Sequence, residues 1–404
     1  MEQKILIYTN HYDPEYFKIN DIVKWLYEED ATISVITGNP NYPSGKLADG
    51  FSIFGSKKVI KKGLTIYRLP LITRGKAGTF RLSLNYISYF LSSIFFTCWC
   101  IFFHKKYDTI FIHHTSPPLL FFPAILYKKV KKSKLILWDL DMWPHTLEAI
   151  GVVKSKILFK TLEHIFKFLY KSFDKVLIAS KSFENIAKKR IMASKIEYFP
   201  NWADQEFEDL NIDIVAPKNN DKIIITYAGN IGQAQGFDIL IEAINKSKNK
   251  NIQFNFIGSG RYKEKLKKLV SDYNLESKVL FFDPVSSKNL IPFFINSNYL
   301  FLSLINSPIF LKTVPAKLQT YLAIGKPIIS SISGEAKDLL IENKCGFHVE
   351  AEDALGLINI FQNLDKVKSF EYKEFSQNSK KLYQHKFSSQ KRKKELITYF
   401  NLKT

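Results

Sequence analysis

The stretch ITYAGNIGQAQGFDILIEAI, residues Ile225–Ile244, decides the fold class of this chain. It begins with an apolar run typical of a buried strand, continues through a turn with three glycines, and ends in an amphipathic helical pattern. Backbone N–H groups at the start of such a helix can bind an anion, and glycines let the ligand approach closely. In α/β proteins this arrangement commonly holds nucleotide phosphates, although it also occurs as a purely structural turn.

Two later stretches also predict a turn or a helix start directly after a strand. FIGSGRYKEKL, Phe256–Leu266, places Gly258, Gly260 and Arg261 after the next apolar run, which suggests a nucleoside diphosphate with Arg261 as its counterion. TVPAKLQTYLAIGKPII, Thr313–Ile329, predicts a helix capped by Thr313, with Pro315 in its first turn and Gly325 at its end. Lys317 and Thr320 share a face of that helix, which is either part of a ligand site or simply well capped.

Short strand-like runs alternate with helical patterns along the whole chain. This alternation predicts an α/β protein with parallel sheets and right-handed crossovers, and two sheets fit the length better than one. The candidate strands are Lys4–Tyr8, Ile33–Thr37, Thr109–His113, Leu135–Asp139, Lys175–Ser180, Ile223–Ala228, Gln253–Ile257, Val279–Phe282, Tyr299–Leu304 and Pro327–Ser331.

The polar segment Ala203–Lys222 is the candidate linker between two domains, because it contains a proline and adjacent asparagines before a new strand. We therefore expect an N-terminal domain at residues 1–203 and a C-terminal domain at 204–384. The basic helical tail, about 385–404, could pack back onto the first domain.

Composition narrows the class of protein and its partners. With 404 residues, 46% apolar side chains and three cysteines, the chain is neither disordered nor a disulfide scaffold, and it suits a reducing cytoplasm. The N-terminal sequence has no signal-peptide pattern. The formal net charge is +20, and residues 1–200 hold 30 basic and 16 acidic side chains. Since only six of the 58 cations are arginine, the charge fits anionic head groups better than nucleic-acid bases, or else a solvated lysine face.

The segment Tyr86–Phe103, YISYFLSSIFFTCWCIFF, is long and apolar enough to span a membrane. Candidate strands of one sheet lie on both sides of it, which argues against a span. Three interpretations stay open: a buried core helix, which we favour, a helix partly inserted into one leaflet, or a span. Lys105, Lys106 and Lys128–Lys134 would support insertion into one leaflet.

The succession YAGNIGQAQG, FIGSG and VPAKLQTYLAIGKPI resembles the donor-binding half of family 4 glycosyltransferases, which have the GT-B fold. The first half resembles more narrowly the WbuB-like branch, whose members build bacterial surface polysaccharides such as O-antigen and capsule. The stretches that carry this resemblance are TGNPNYPSGKLADGF (Thr37–Phe51), RGKAGTFRLSLNYISYFLSS (Arg74–Ser93), HHTSPPLL (His113–Leu120), WDLDMWPHTLEAIGV (Trp138–Val152) and PNWAD (Pro200–Asp204). Together the resemblance covers about residues 3–350.

The resemblance implies two Rossmann-like domains facing a cleft, with a nucleotide sugar on the second domain and an acceptor on the first. It also implies transfer with retention of anomeric configuration and without an obligatory metal or other cofactor. The residues implicated in catalysis are Asp141, Lys312 and Lys317. Those implicated in donor binding are Gly229, Asn230, Gly232, Gln235, Gly258, Arg261, Val285, Pro315, Lys317 and Thr320. The acceptor-side candidates are Asp13, Glu15, Tyr42, Arg74, Arg81 and His145.

Several positions depart from the family pattern. The two glutamates of the family's Glu-x7-Glu motif correspond to Lys312 and Thr320, and the diphosphate-binding Arg and Lys correspond roughly to Asn230 and to Gln233 or Gln235. The pair Asp139-x-Asp141 resembles the metal-binding motif of the other glycosyltransferase fold, but it directly follows a candidate buried strand. We therefore expect no metal there, and we place Asp141 beside the reacting sugar. Asp13 and Glu15 are either acceptor-side groups or ordinary turn residues.

We expect a retaining hexosyltransferase that moves a sugar from a UDP-linked donor to a lipid-linked polyprenyl-diphosphate glycan. We expect the transferred group to be an amino or deoxyamino sugar. We expect it in the cytoplasm, bound peripherally to the anionic inner face of the plasma membrane, without nucleic acid. Two rivals remain: a UDP-sugar epimerase on the same fold, and a non-catalytic scaffold subunit of a polysaccharide assembly complex.

Overall fold

The computed structural model describes residues 3–42, 44–55, 57–75, 78–104, 106–149, 151–212, 215–217 and 222–402. The chain divides into two compact units. Unit 1 comprises Met1–Phe199 and Lys393–Thr404, and unit 2 comprises Pro200–Arg392. Each unit is built around one sheet with helices on its faces, as expected for alternating strands and helices.

The described residues of unit 1 form an eight-stranded sheet in the order β3-β4-β2-β1-β5-β6-β7-β8. All neighbours are parallel except β3 and β4, which form an antiparallel hairpin. Ile5, Leu6 and Ile7 in the central strand are fully buried, because helices cover both faces of a parallel sheet. The strands are β1 (Lys4–Thr9), β2 (Thr32–Gly38), β3 (Lys57–Lys61), β4 (Leu64–Leu69), β5 (Thr109–His114), β6 (Lys134–Asp139), β7 (Lys175–Ile178) and β8 (Ile196–Tyr198).

The described residues of unit 2 form a six-stranded, wholly parallel sheet in the order β11-β10-β9-β12-β13-β14. Because its strands are parallel, the turns that follow them lie along one edge, where α/β proteins bind ligands. The strands are β9 (Ile223–Ala228), β10 (Ile252–Ile257), β11 (Val279–Phe282), β12 (Tyr299–Ser303), β13 (Ile328–Ser331) and β14 (Gly346–Val349).

Helices connect these strands and cover the sheets. Those of unit 1 are α1 (Lys18–Glu28), α2 (Thr79–Phe103), α3 (Phe121–Lys131), α4 (His145–Ala149), α5 (Lys156–Tyr170) and α6 (Glu184–Ala187). Those of unit 2 are α7 (Gln205–Glu208), α8 (Phe237–Lys246), α9 (Lys263–Asp272), α10 (Ser287–Asn296), α11 (Ala316–Ile324), α12 (Glu335–Glu342), α13 (Ala354–Asn363) and α14 (Ser369–Lys386). The last helix, α15 (Ser389–Phe400), begins in unit 2 and ends in unit 1.

The expectation of two parallel α/β sheets is confirmed, but the sequence pattern missed several strands. The edge strand β3 was missed because it reads KKVIK, with exposed lysines in place of an apolar run. Its buried partner β4, which reads LTIYRL, was overlooked. The short strands β8 and β14 were missed as well, since they are only partly buried and lack a continuous apolar run.

Helix α2 is not the buried core helix that we favoured. An 18-residue stretch within Phe80–Phe103 has a mean hydropathy of 1.6, and only 28% of that stretch is buried. By its length and composition alone, the helix could cross a membrane. It connects β4 to β5, and both strands belong to one sheet, so it is a crossover helix that packs on that sheet. Lys105, which we expected to support membrane insertion, lies outside the described residues.

The buried side of α2 carries polar as well as apolar side chains, and large apolar side chains are exposed on its other side. The Thr97 hydroxyl is 2.8 Å from the Tyr8 hydroxyl, and Ser93 is fully buried. On the opposite face Phe95 and Phe102 are exposed by 73% and 80%. An amphipathic helix at the surface of a globular protein usually exposes polar side chains, so the exposed aromatic side of α2 is unusual.

The expected linker at Ala203–Lys222 is wrong for its first half. Ala203, Phe207 and Ile212 are buried in the core of unit 2, and the Ala203 amide donates to the Tyr383 hydroxyl at 3.0 Å. Apolar side chains at these three positions anchor a segment whose overall composition is polar. Residues 213, 214 and 218–221 of the segment lie outside the described part of the chain.

Candidate functional site

Two glycine turns and one helix start lie along the carboxyl edge of the unit 2 sheet. The first turn follows β9, the second follows the neighbouring β10, and helix α11 begins on the connection between β12 and β13. The turns touch: the Ile231 amide donates to the Ser259 carbonyl at 2.8 Å, and the Tyr262 amide donates to the Ile231 carbonyl at 3.1 Å.

The glycines of the two turns allow backbone segments to pack closely against each other, and their amides are mostly hydrogen-bonded within the protein. Gly258 has φ +145°, and a Cβ there would lie 2.0 Å from the Gly229 carbonyl oxygen, so only glycine fits. The Gly229 amide donates to Ile257, and the Gly258 amide donates to Phe282. The Gly232 amide donates to the side chain of Gln235 at 2.9 Å. The protein itself therefore supplies the acceptors for the amides of Gly229, Gly232 and Gly258.

Lys317 lies against the first glycine turn, 88 residues away along the chain. A Cβ on Gly229 would lie 2.5 Å from Lys317 Cε, and Lys317 Nζ lies 5.0 Å from the centre of the Tyr227 ring. Burial lowers the pKa of Lys317 to about 8, because removal from water disfavours its charged form. The structure thus places one partly buried ammonium group at the turn that the sequence identified.

The other candidate donor residues lie around the same edge of the sheet and differ in how far they are exposed to solvent. Asn230 is exposed, whereas Gln235 holds the turn through Gly232 and accepts from the Ser303 hydroxyl at 2.7 Å. Arg261 is exposed beside the second turn, and Val285 is 38% exposed after β11. The remaining three, Lys312, Pro315 and Thr320, flank or belong to the start of α11 and are each partly exposed.

The start of α11 differs from its expected form. Pro315, and not Thr313, occupies the N-cap position, since the Thr313 hydroxyl donates to the Ile309 carbonyl at 2.8 Å. Gly325 ends the helix with φ +77°, as the sequence predicts.

Sequence reasoning missed two residues that hold the donor-side turns. The Tyr227 hydroxyl donates to the Asn230 carbonyl at 2.7 Å. Lys263 Nζ donates to the Gly258 carbonyl at 3.0 Å and lies 3.1 Å from Asp283. A tyrosine at 227 and a lysine at 263 do not by themselves predict a functional role. Both residues lie inside or next to the glycine motifs.

In unit 1 the candidates also lie where strands end. Glu15, in the loop after β1, is buried: its carboxylate accepts from the backbone amides of Asn41 and Tyr42 at 2.5 and 2.6 Å, and His11 Nδ1 lies 2.6 Å away. This carboxylate joins two loops and is saturated by protein partners. Asp13 is exposed, and its backbone carbonyl accepts a hydrogen bond from Arg68.

Arg74 stands between two tyrosines. Its guanidinium carbon lies 5.2 Å from the centre of the Tyr42 ring and 5.8 Å from that of Tyr86, and its Nη2 donates to the Tyr86 hydroxyl at 3.0 Å. Its Nε is buried without a hydrogen-bond partner. Arg81 is not in this group, because its Nε donates to the Thr73 carbonyl at 3.0 Å.

Asp141 lies beside a serine that sequence reasoning missed. Its carboxylate accepts from the Ser116 backbone amide at 2.7 Å and from the Ser116 hydroxyl, which in turn accepts from Trp143 Nε1 at 2.6 Å. Ser116 follows β5 and Asp141 follows β6, so two neighbouring strand ends build this group. The serine lies in the HHTSPPLL stretch, which was noted only for its resemblance.

Asp139 and Asp141 have separate partners. Asp139 is fully buried; burial acts to raise its pKa, but His114 at 2.8 Å and the Tyr170 hydroxyl outweigh that effect and set it at about 2. His145 lies 3.9 Å from Glu163, which also pairs with the buried Arg190 at 2.6 Å. The described residues contain no group of three or more His, Cys, Asp or Glu side chains placed to hold a metal ion.

A family model matches the second half of the chain. Residues 210–399 match the family model described as "Glycosyl transferases group 1". This range contains both glycine turns, Lys317 and helix α11.

Two curated bacterial relatives extend the similarity into the first half. The chain is 25% identical over 338 residues to WcaI of Escherichia coli strain K12, provisionally named a colanic acid biosynthesis glycosyl transferase, covering 80% of this chain and 81% of the relative. It is also 25% identical over 262 residues to WbjE of Pseudomonas aeruginosa, provisionally named a glycosyltransferase, covering 62% of this chain and 64% of the relative.

Solved structures show the same fold. A sucrose-phosphate synthase from Thermosynechococcus elongatus superposes with a TM-score of 0.72 at 15% identity, covering 99% of this chain and 98% of that one. Anabaena Alr3699/HepE in complex with UDP gives a TM-score of 0.66 at 12% identity, covering 99% of this chain and all of that one. The chain therefore has the GT-B fold, and the family match and the curated relatives support a glycosyltransferase of polysaccharide biosynthesis.

Proposed function

We propose that this protein transfers a sugar from a UDP-linked donor to a lipid-linked glycan during the synthesis of a bacterial surface polysaccharide. The donor is bound by unit 2 and the acceptor by unit 1. The observation that supports this proposal most is the placement of Lys317 against the glycine turn after β9, inside the region that matches the glycosyltransferase family.

A diphosphate at this edge would be met by a small set of positive groups. Lys317 supplies an ammonium group that is already partly removed from water, so its interaction with phosphate is less screened than that of a surface lysine. The first turn of α11 adds the partial positive charge of a helix N-terminus. Lys312 and Arg261 are the further candidates for stabilising the departing diphosphate.

On unit 1, Asp141 is the candidate for the group beside the reacting sugar. Its hydrogen bonds from Ser116 fix the carboxylate, and a fixed carboxylate can orient an acceptor hydroxyl and take its proton. We expect that hydroxyl to attack the anomeric carbon from the side that the diphosphate leaves, so that configuration is retained.

The surface of unit 1 supports attachment to a membrane. The outward face of α2 is apolar, and exposed lysines, including Lys129 and Lys160, lie on the helices α3 and α5 of the same unit. A surface of this composition suits the interface of a bilayer with anionic head groups, where each cation contributes about 1 kcal/mol. We accordingly propose that the protein works at the inner face of the plasma membrane.

The finer features rest on the sequence resemblance. These are an amino or deoxyamino sugar as the transferred group, retention of configuration, independence from metal, a polyprenyl-diphosphate acceptor, and O-antigen or capsule as the product. The UDP donor has further support, because solved structures of the same fold were obtained with UDP or a UDP-sugar.

A non-catalytic scaffold is the second candidate, because one observation favours it. The positions of the family's two glutamates hold Lys312 and Thr320, so the carboxylates that contact the donor in the wider family are missing. A scaffold of this fold could still bind a nucleotide sugar without transferring it.

One experiment separates these functions. The purified protein is incubated with labelled UDP-sugars and a polyprenyl-diphosphate sugar, with and without a chelator. A labelled lipid-linked product identifies the transferase, and an isomerised donor in the absence of acceptor identifies an epimerase. Donor binding without turnover identifies the scaffold, and the chelator tests metal independence.

A further inference from the structure

A groove on unit 1 runs between helices α2 and α5. It has a volume of about 360 Å³, within the range of small-ligand sites, and side chains of α2, α3 and α5 line it together with the segments that follow β5 and β6. Its walls are formed mainly by large apolar side chains, among them Ile87, Phe122, Trp143 and Ile165.

The groove remains open to solvent although its lining is apolar. Ile87, Phe122 and Ile165 are exposed by 50%, 43% and 43%, whereas Phe166 beneath them is 3% exposed. Apolar surface held open to water in this way marks a site for an apolar partner.

Hydrogen bonds connect two charged groups of the candidate acceptor side to side chains that line the groove. Trp143 lines the groove, and its Nε1 donates to Ser116, whose hydroxyl donates to the Asp141 carboxylate. Tyr86 also lines the groove, and its hydroxyl accepts from Arg74, the guanidinium with a buried Nε that lacks a hydrogen-bond partner. The groove therefore has a carboxylate near one wall and a cation near another.

We propose that this groove binds the hydrocarbon chain of the lipid-linked acceptor, with Arg74 facing the phosphate to which that chain is attached. The apolar lining fits an alkyl or isoprenoid chain, Arg74 complements an anionic head, and Trp143 joins the groove to Asp141, where the sugar would react. The inference rests on the proposed function, because it takes the acceptor to be lipid-linked. Its occupant is the acceptor's own chain and not a bulk membrane lipid.

The kinetic test compares acceptors with and without a long chain. In detergent solution, Ile87→Gln should lower kcat/KM for a long-chain acceptor about tenfold and leave that for a water-soluble, short-chain acceptor unchanged. Leu91→Gln is the matched control, because Leu91 is 48% exposed on the same helix and lies outside the groove lining. Equal loss with both acceptors, or equal loss in both variants, would overturn the proposal.

A second measurement, photolabelling of the groove, does not require the protein to transfer a sugar. A photoreactive group at the end of a short isoprenyl phosphate should label peptides from α2, α3 or α5, and an excess of anionic phospholipid should not displace it. Labelling elsewhere, or equal displacement by phospholipid, would overturn the groove assignment. Groove labelling without sugar transfer to any acceptor would contradict the proposed function and leave the lipid site standing.

Discussion

At the residue scale, Lys317 is the group on which the proposed donor binding depends. Its side chain lies between the backbone of Gly229 and the ring of Tyr227, and burial brings its pKa to about 8. A lysine with such a pKa is largely cationic at neutral pH and largely neutral a little above pH 9. Its ability to bind a diphosphate should therefore depend on pH in a range where solvent-exposed lysines remain charged.

We predict that UDP affinity falls as pH rises through about 8, because the ammonium group loses its proton there. The dissociation constant, measured by calorimetry from about pH 7 to about pH 9.5, should rise up to about tenfold per pH unit above that pKa. Lys317→Arg should remove this dependence, because arginine keeps its charge. A constant affinity over this range in the unmodified protein would contradict the role of Lys317.

Asp141 is the second residue on which the account depends. We predict that Asp141→Asn lowers kcat by about a hundredfold or more, because the amide can accept the Ser116 hydrogen bond but cannot take a proton. UDP affinity and the thermal unfolding midpoint should stay close to those of the unmodified protein. A kcat within about threefold of normal would show that Asp141 has no part in the chemistry.

At the scale of single elements, helix α2 has two opposite roles. Its inward face supplies hydroxyl groups to the sheet and neighbouring loops, such as Ser92 to the Pro70 carbonyl at 2.5 Å. Its outward face presents aromatic side chains to the surroundings. The same helix can therefore be a structural crossover and a membrane contact.

We predict that Phe95→Ser with Phe102→Ser weakens binding to vesicles of anionic lipid at least about tenfold, because both exposed rings would leave the bilayer interface. The matched control is Leu355→Ser with Phe370→Ser, which removes apolar side chains of similar exposure from unit 2. Co-sedimentation at low and high salt measures both variants. Equal loss in the two variants, or none in either, would contradict a membrane contact through α2.

At the scale of the whole molecule, the fold could be predicted further than the site. Long apolar runs such as Ile223–Ala228 marked their strands, since a strand buried on both faces must be apolar throughout. The edge strand β3 could not be found this way, because it is exposed and its lysines hide the pattern. The burial of Phe207 in unit 2 was equally hidden within a polar segment.

The turns of the candidate donor site could be predicted from the sequence, but the contacts within it could not. Glycines revealed where the chain bends, yet the acceptors of their amides, such as Phe282 for Gly258, are set by the neighbouring strand. The contact between Lys317 and Gly229 joins residues far apart in sequence, so it depends on the sheet order. The Ser116–Asp141 pair was missed for the same reason, since it forms only when β5 and β6 lie side by side.

The most direct test of the central claim is calorimetry of UDP with three proteins: the unmodified chain, Lys317→Met and Lys326→Met. Burial also lowers the pKa of Lys326 to about 8, but this lysine lies just before β13, at the opposite edge of the sheet, and its Nζ donates to the Ile295 carbonyl. We predict that UDP binds the unmodified chain and the Lys326 variant alike, and binds the Lys317 variant at least about tenfold more weakly. No binding of UDP to the unmodified chain, or equal affinity in all three proteins, would contradict the account.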